Sequence, residues 1–390
     1  MMKTETKSVA EFFAGIGLMR MGLEKAGWAT VWANDIDSDK VAMYRHHFGD
    51  ADDHLVHGDV HLLDPKAIPS VTLATASFPC TDLSLAGARR GLAGSGSGAF
   101  WGFIDAMKGM GDRRPPLVLL ENVTGFLTSH EGNDFRDACL ALNELGYSVD
   151  AFIIDAAHFV PQSRQRLFVV GSQRPRSLKA KEPGSSFLEG NGRPAALADF
   201  ILWHPEIDWA IRDLPPLPRS HRRLSDILEV VSPNSQLWWS KERSEYLLNQ
   251  MSDRHREIAD AMISAKKTTY GTVFRRVRNG RSMAELRIDG VAGCLRTPRG
   301  GSGRQILFAA GGGTFGVRLL SARECARLMG ADDFRMERQL PLNKALFGFG
   351  DAVCVSVVDW IASHYLNPLH LEIMSSEPEK SVRYGTRKKG

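Results

Sequence analysis

With 390 residues, 43% hydrophobic and 24% charged, the chain can build one large core or two and has the composition of a soluble globular protein. No run approaches the roughly 18 apolar residues that a membrane span needs, and the N-terminal stretch carries no long apolar region, so neither secretion nor a membrane helix is expected and the expected setting is cytoplasmic. The five cysteines (Cys80, Cys139, Cys294, Cys325, Cys354) are scattered without a CxxC pair, which argues against a disulfide framework or a zinc site, and a net charge of +4 is compatible with a polyanionic partner without requiring one.

In chain order, an apolar run from Ser8 to Ala14 leads into Gly15-Ile16-Gly17 and then a helical pattern ended by Gly27. This predicts the first βα unit of a nucleotide-binding fold, its glycines allowing a tight turn and close approach of a ligand. A second strand, Thr30 to Ala33, ends in Asn34-Asp35-Ile36-Asp37. Asp35 lies about 20 positions beyond the glycine turn, where such folds bind a ribose, although a helix N-cap would also explain it. Gly58-Asp59-Val60 places another carboxylate at a strand end.

The apolar run Val71 to Ala76 leads into Ser77-Phe78-Pro79-Cys80-Thr81-Asp82-Leu83-Ser84. Pro79 fixes its own φ and biases Phe78 toward extended backbone, so the strand should stop there in a rigid turn. That would present the Cys80 thiol beyond the carboxyl end of a strand, where open α/β sheets hold ligands. A lone cysteine is more often an ordinary buried thiol; the company Cys80 keeps along the chain reverses that reading.

A glycine-rich loop from Gly87 to Gly98, with Arg89 and Arg90, predicts a mobile lid. A helix is expected from Phe100 to Met110. The continuous apolar run Leu117 to Leu120 reads as a strand buried on both faces and ends in Glu121-Asn122-Val123. A helix from Phe135 to Leu145 and a strand from Val149 to Ile154 follow. Gln162, Arg164 and Arg166 then lead into a strand from Leu167 to Val170. Residues 8 to 171 thus alternate strand and helix, which predicts an α/β fold: a doubly wound, mostly parallel sheet of Rossmann-like form.

From Ser172 to about Gly316 the rhythm breaks, and this region is expected to form a second, smaller, irregular domain. Between Lys266 and Arg304 ten Lys and Arg face only Glu285 and Asp289, a net of +8. Aromatic and polar residues are interleaved with these charges, a pattern that suits a phosphate-binding surface. Ser321 followed by Glu324 predicts a capping box. A last glycine turn, Gly348-Phe349-Gly350-Asp351, is expected to open a helix from Ala352 to about Tyr365. The tail beyond Pro368 reads as basic and disordered.

Taken together, Phe13-Ala14-Gly15-Ile16-Gly17, Asn34-Asp35-Ile36-Asp37, Gly58-Asp59-Val60, Phe78-Pro79-Cys80 with Ser84, Glu121-Asn122-Val123, Gln162-x-Arg164-x-Arg166, Arg323-Glu324-x-x-Arg327-Leu328 and Gly350-Asp351-Ala352-Val353 resemble, in order, the motifs of the C5-cytosine DNA methyltransferase family. The resemblance implies a catalytic domain over 1–171, a target-recognition domain over 172–316, a return to the catalytic domain over 317–368 and a tail over 369–390. It also implies S-adenosylmethionine as cofactor and double-stranded DNA as substrate. Cytosine C5 is too weak a nucleophile to take a sulfonium methyl group unaided, and a thiolate adding to C6 converts the ring to an enamine that can. By resemblance Cys80 is that thiolate and Glu121 holds N3 and the exocyclic amine. Arg166 binds the base O2, with Arg164 in support, and the target cytosine is flipped into the pocket.

The family positions implied for the cofactor are Phe13, Ala14, Gly15, Ile16, Gly17, Asp35, Ile36, Asp59, Val60, Pro79, Asp351 and Val353. Those implied or suggested for DNA are Ser84, Arg89, Arg90, Gln162, Arg275, Arg276, Arg278, Arg296, Arg299 and Arg304. Leu18, Ile36, Thr81, Ser97 and Asp351 depart from the commonest pattern, Asp351 standing where asparagine is usual. The same chemistry on RNA such as tRNA, a catalytically silent DNA-binding relative and a nucleotide-dependent oxidoreductase are the competing readings. An amino-group methyltransferase is disfavoured, because no [DNS]-P-P-[YFW] tetrapeptide occurs. A monomeric modification enzyme, paired with a restriction endonuclease that acts on the same site without a stable complex, completes the expectation.

Overall fold

The computed structural model describes residues 7–79, 98–173, 192–278, 280–297 and 304–376. Seven strands form the central sheet: β1 (Ser8–Phe12), β2 (Ala29–Asp35), β3 (Leu55–His57), β4 (Leu73–Ala76), β5 (Leu117–Val123), β6 (Ser148–Asp155) and β7 (Gln165–Ser172). Their order is β3-β2-β1-β4-β5-β7-β6. All neighbours are parallel except β7, which runs antiparallel to both β5 and β6. The order reverses between β1 and β4, so the loops after these two strands diverge and leave a crevice at the carboxyl edge.

Strand alternation divides the core between the two faces. Val9, Leu73, Leu117 and Leu119 enter one buried cluster, whereas Ala10, Phe12, Ala74, Ala76, Val118 and Leu120 enter the other. This is the period-two consequence of runs apolar at every position. Helices α1 (Leu18–Lys25) and α2 (Ser38–His47) follow β1 and β2, α3 (Ala99–Gly109) precedes β5, and α4 (Asn133–Glu144) precedes β6. The Asp37 carboxylate caps α2 by accepting from the backbone N–H groups of Asp39 and Lys40. Helix α5 (Ala195–Trp203) and the following stretch add Leu197, Phe200, Ile207, Trp209 and Ile211 to the second cluster.

The region expected to be irregular contains a four-stranded antiparallel sheet. Its strands β8 (Thr269–Arg278), β9 (Arg281–Arg287), β10 (Ile306–Gly311) and β11 (Thr314–Leu319) stand in the order β11-β10-β8-β9. A short α6 (Leu224–Ile227) precedes α7 (Lys241–Leu248) and α8 (Asp253–Ser264). Leu247, Leu248, Ala259 and Met262 pack with Val273, Ala284, Leu286, Ile306, Phe308 and Val317 in a third core. The strands escape a reading of the sequence because charged residues interrupt them: Val273 is buried, Arg275 is partly buried and Arg276 is exposed.

At the C-terminal end, Ser321 caps α9 (Ala322–Leu328) in the expected capping box with Glu324. Gly348 to Asp351 is not a turn. It is the last turn of α10 (Leu342–Asp351), followed by α11 (Val355–Ile361), a π-helical turn over Ala362–Leu366, and α12 (Asn367–Ser376). The chain past Pro368 therefore stays helical to Ser376, because Leu369 and Ile373 have a buried face to fill; residues 377–390 lie outside the described residues. One 18-residue window within the helical stretch Leu342–Ser375 has the mean hydropathy of a membrane span, yet most of that window is packed inside the protein.

Glu11, on β1, is 1% exposed. Burial pushes its carboxyl up to about 8 from an ordinary 4.5, and the nearby Arg20 charge offsets this only in part. Between those two pH values the unfolded chain has lost this proton and the folded chain keeps it, so the group's contribution to stability falls as pH rises through the window. Glu11→Gln, which mimics the protonated form, is expected to raise the melting temperature at pH 8 relative to wild type and to leave it nearly unchanged at pH 5. Equal shifts at both pH values in a calorimetric scan would contradict a protonated Glu11.

Candidate active site

The first part of the site is built on the loop after β1. Gly15 has φ +57 with open space where a Cβ would point, and its N–H donates to the Asp35 carboxylate at 2.7 Å. The other Asp35 oxygen accepts from the Asp37 N–H at 2.8 Å. Burial, the largest influence, leaves the Asp35 carboxyl raised despite these bonds and the charge of Lys40. Phe13, beside the glycines, adopts φ +56, a backbone that non-glycine residues rarely hold without tertiary support. Ile36 is 63% exposed, presenting apolar surface at the mouth of the same crevice.

The Asn34 amide donates to the carbonyls of Val56 and Gly58 at 3.0 and 2.9 Å, which fixes the end of β3. That places Asp59, whose carboxylate caps the 3-10 turn over Val60–Leu62. Both Val60 and Val353 are buried. Gly15, Asp35, Asp59 and Ile36 thus lie along the carboxyl ends of β1, β2 and β3. Turned backbone, apolar surface and carboxylates with lone pairs to spare suit an adenosine: a flat base, a pair of ribose hydroxyls and an exocyclic amine.

The second part forms where β4, β5 and β7 end. Ala76 lies opposite Leu120, and Val123 lies opposite Arg166, so Glu121 and Arg166 are diagonal neighbours on one face. The Arg166 Nε sits 3.1 Å from a Glu121 oxygen, with side chains 14% and 6% exposed. Asn122, on the opposite face, donates to the Phe78 carbonyl at 3.2 Å. The Phe78-Pro79 step is thereby tied beside Glu121, with Pro79 exposed. Cys80 itself, with Ser84, Arg89, Arg90 and nearly all of the expected lid from Gly87 to Gly98, lies outside the described residues.

Arg164 is 2% exposed. Its guanidinium donates to the Leu295 carbonyl at 2.9 Å and to the Gly350 and Ala352 carbonyls at 3.0 and 2.5 Å. It therefore supports the site from beneath. Gln162 is corrected from a DNA contact to a buried brace. It is 0% exposed, its amide donates to the Leu328 carbonyl at 2.8 Å, and its carbonyl accepts from the Leu295 N–H at 2.8 Å.

Reading the sequence missed two neighbours. Cys294 lies within 3.4 Å of the Arg164 guanidinium; burial opposes ionisation of its thiol, but the charges of Arg164, Arg166 and Arg296 outweigh it and hold the pKa below the ordinary value. Lys40 pairs with Asp351 at 2.8 Å. Neither has a local signal, because the partners lie 130 and 311 residues away.

Of the expected basic contacts, Arg276 and Arg296 are exposed and flank the Phe274 ring at 5.3 and 5.6 Å, and Arg276 also pairs with Glu285. Arg275 is partly buried on the same strand, and Arg304 donates to Asn343 at 2.7 Å. Arg299 and the Arg278 side chain lie outside the described residues.

The C-5 cytosine-specific DNA methylase family model matches residues 7–367. The chain is 26% identical to the type II methyltransferase M.BsuFI of Bacillus subtilis, over 90% of this chain and 70% of that protein. It is 24% identical to the type II methyltransferase M.HhaI of Haemophilus parahaemolyticus, over 90% of this chain and 92% of that protein. A match to M.Bsp6I of Bacillus sp., 31% identical, takes in 42% of this chain and spans only 51% of that protein. In fold the chain resembles the S. pombe Dnmt2 methyltransferase (TM-score 0.59, 18% identity, 93% of this chain and 98% of that one). It also resembles the Entamoeba histolytica methyltransferase EhMeth (TM-score 0.59, 13% identity, 94% and 99%). With one family model spanning residues 7–367, the chain belongs to the C-5 cytosine-specific DNA methylase family.

Proposed function

We propose that this protein transfers a methyl group from S-adenosylmethionine to C5 of a cytosine flipped out of a specific duplex DNA sequence, and that it is the modification enzyme of a restriction–modification system. The observation that carries the reading is the Glu121–Arg166 pair at the carboxyl edge, beside the Phe78-Pro79 step that leads into Cys80. An acid and a guanidinium held side by side offer a pyrimidine one partner for N3 and its amine and one for O2.

In this mechanism Cys80 adds to C6 as a thiolate, forming a carbon–sulfur bond and moving electron density to C5. Glu121 holds the N3 and amine edge and steadies the charge that develops on the ring, and Arg166 stabilises the O2 side. The cofactor supplies an electrophilic methyl group on a sulfonium sulfur. After methyl transfer a base takes the C5 proton as the C6–sulfur bond breaks, which restores the aromatic ring and releases the Cys80 thiolate. Phe13 and Ile36 would bracket the adenine, Asp35 the ribose hydroxyls and Asp59 the adenine amine. Arg275, Arg276 and Arg296 would meet the DNA, dividing between phosphates and base edges.

Bisulfite sequencing of a mixed-sequence duplex incubated with protein and S-adenosylmethionine is expected to reveal protected cytosines at one recurring short motif, and Cys80→Ser is expected to abolish them. No protection on DNA would overturn the duplex substrate and direct the same assay to tRNA. Glu121→Gln keeps the shape but removes the charge, and is expected to lower kcat by about 10²–10³-fold, read in single-turnover methyl transfer. Arg164→Met strands three buried carbonyls, so a loss of about 2–4 kcal/mol in denaturant unfolding is expected along with the loss of activity. An endonuclease gene beside the coding sequence would support the restriction–modification role, and a solitary locus would count against it.

A further inference from the structure

Among the described residues, the chain after β9 comes against the C-terminal end of α10 beside the start of α2. Strand β9 leads through Ala292, which pairs with Gln162, to Thr297. There the chain lies directly on the end of α10. A Cβ on Gly350 would meet the Arg296 carbonyl carbon and the Thr297 nitrogen, both at 2.8 Å, so this backbone contact tolerates only glycine. On the exposed side of that contact the Thr297 hydroxyl bonds one oxygen of the Asp351 carboxylate. The other oxygen pairs with the Lys40 ammonium at 2.8 Å.

Lys40 belongs to the first turn of α2, directly after the Asp35–Asp37 stretch, and feels both of those carboxylates as well as Asp351. The three groups come from chain segments separated by 311 and 54 residues. Each oxygen of Asp351 is committed to a different segment. An asparagine could bridge the same two groups only by donating its NH₂ to the Thr297 hydroxyl, and it would lack the charge that pairs with the Lys40 ammonium.

We infer that Lys40, Asp351 and Thr297 form a clasp through which the recognition region sets cofactor affinity, with Lys40 and Thr297 as positioning residues that hold Asp351 against the charged amino-acid end of the cofactor. The inference rests on the reading that this crevice takes S-adenosylmethionine. The chemistry matches: that end of the cofactor carries an ammonium, and a carboxylate held in place by Lys40 and Thr297 offers it a fixed partner. Freed from Thr297, the Asp351 side chain regains rotamer freedom that binding must then remove, so affinity falls.

The test is calorimetric titration of the full chain with S-adenosylhomocysteine. Thr297→Val is expected to weaken binding about 3- to 10-fold, the effect of one lost hydrogen bond. Thr297→Ser, which keeps the hydroxyl, is expected to bind within about 2-fold of wild type; it also serves if the valine variant folds poorly. Lys40→Met is expected to weaken binding too, and the double variant Lys40→Met/Thr297→Val by less than the product of the single effects, because both act on one carboxylate. In turnover, the valine change should raise KM for the cofactor and leave kcat nearly unchanged. Wild-type affinity in Thr297→Val, or strictly multiplicative effects in the double variant, would overturn the clasp while leaving the cofactor assignment intact. Failure of the wild-type protein to bind S-adenosylhomocysteine would overturn the cofactor assignment itself.

Discussion

The Arg164 guanidinium is the interaction on which the site depends. A buried cation is costly to desolvate unless it is hydrogen-bonded, and among the described residues the two terminal nitrogens of Arg164 donate to three backbone carbonyls while its buried Nε has no partner. Those carbonyls belong to Leu295, Gly350 and Ala352, so one side chain just before β7 gathers the chain after β9 and the end of α10 under the sheet edge. Arginine suits the task because its planar fork presents several donors in fixed directions, which a lysine ammonium cannot. Two positions later, Arg166 uses the same strand to reach Glu121.

The reversal of β7 matters for the same reason. An antiparallel β7 delivers its first residues, rather than its last, to the carboxyl edge where β4 and β5 end. Arg164 and Arg166 therefore arrive beside Glu121 at the start of a strand. The order switch between β1 and β4 opens the neighbouring crevice, and Asn34 and Asn122 hold its two rims by bonds to the chain ends of β3 and β4.

The region that carries the second sheet is joined to this frame through polar groups as well as apolar ones. Glu324, 0% exposed, accepts from Arg318 through both oxygens and from the N–H groups of Ser321 and Glu229. It thus binds the end of β11, the start of α9 and the chain after α6 into one network. A buried carboxylate so fully satisfied specifies geometry, because any shift leaves a buried charge or donor unpaired. Gln162 does the same between Leu295 and Leu328.

Much of the first sheet was legible from the sequence, because strands buried on both faces are apolar at every position and the turns carry Gly, Pro, Asp and Asn for local reasons. The capping box at Ser321 and the placing of Asp35, Glu121 and Arg166 at strand ends were readable for the same reason. The second sheet was hidden: charged and polar residues interrupt β8 and β9, and these strands acquire a core only when α7 and α8 cover them. Gly348 to Asp351 resembled a turn because glycine weakens a helix locally, yet packing of Leu346 and Phe349 holds the helix there. Gln162 looked available to a ligand until burial claimed both ends of its amide. The sequence by itself determined the alternation of strand and helix, the glycine turns and the chemical inventory, all of which depend on neighbours a few residues apart. Only the tertiary structure decided that Glu121 meets Arg166, that Arg164 lies beneath them and that Thr297 reaches Asp351, because these contacts join segments tens to hundreds of residues apart and no local propensity encodes their partners.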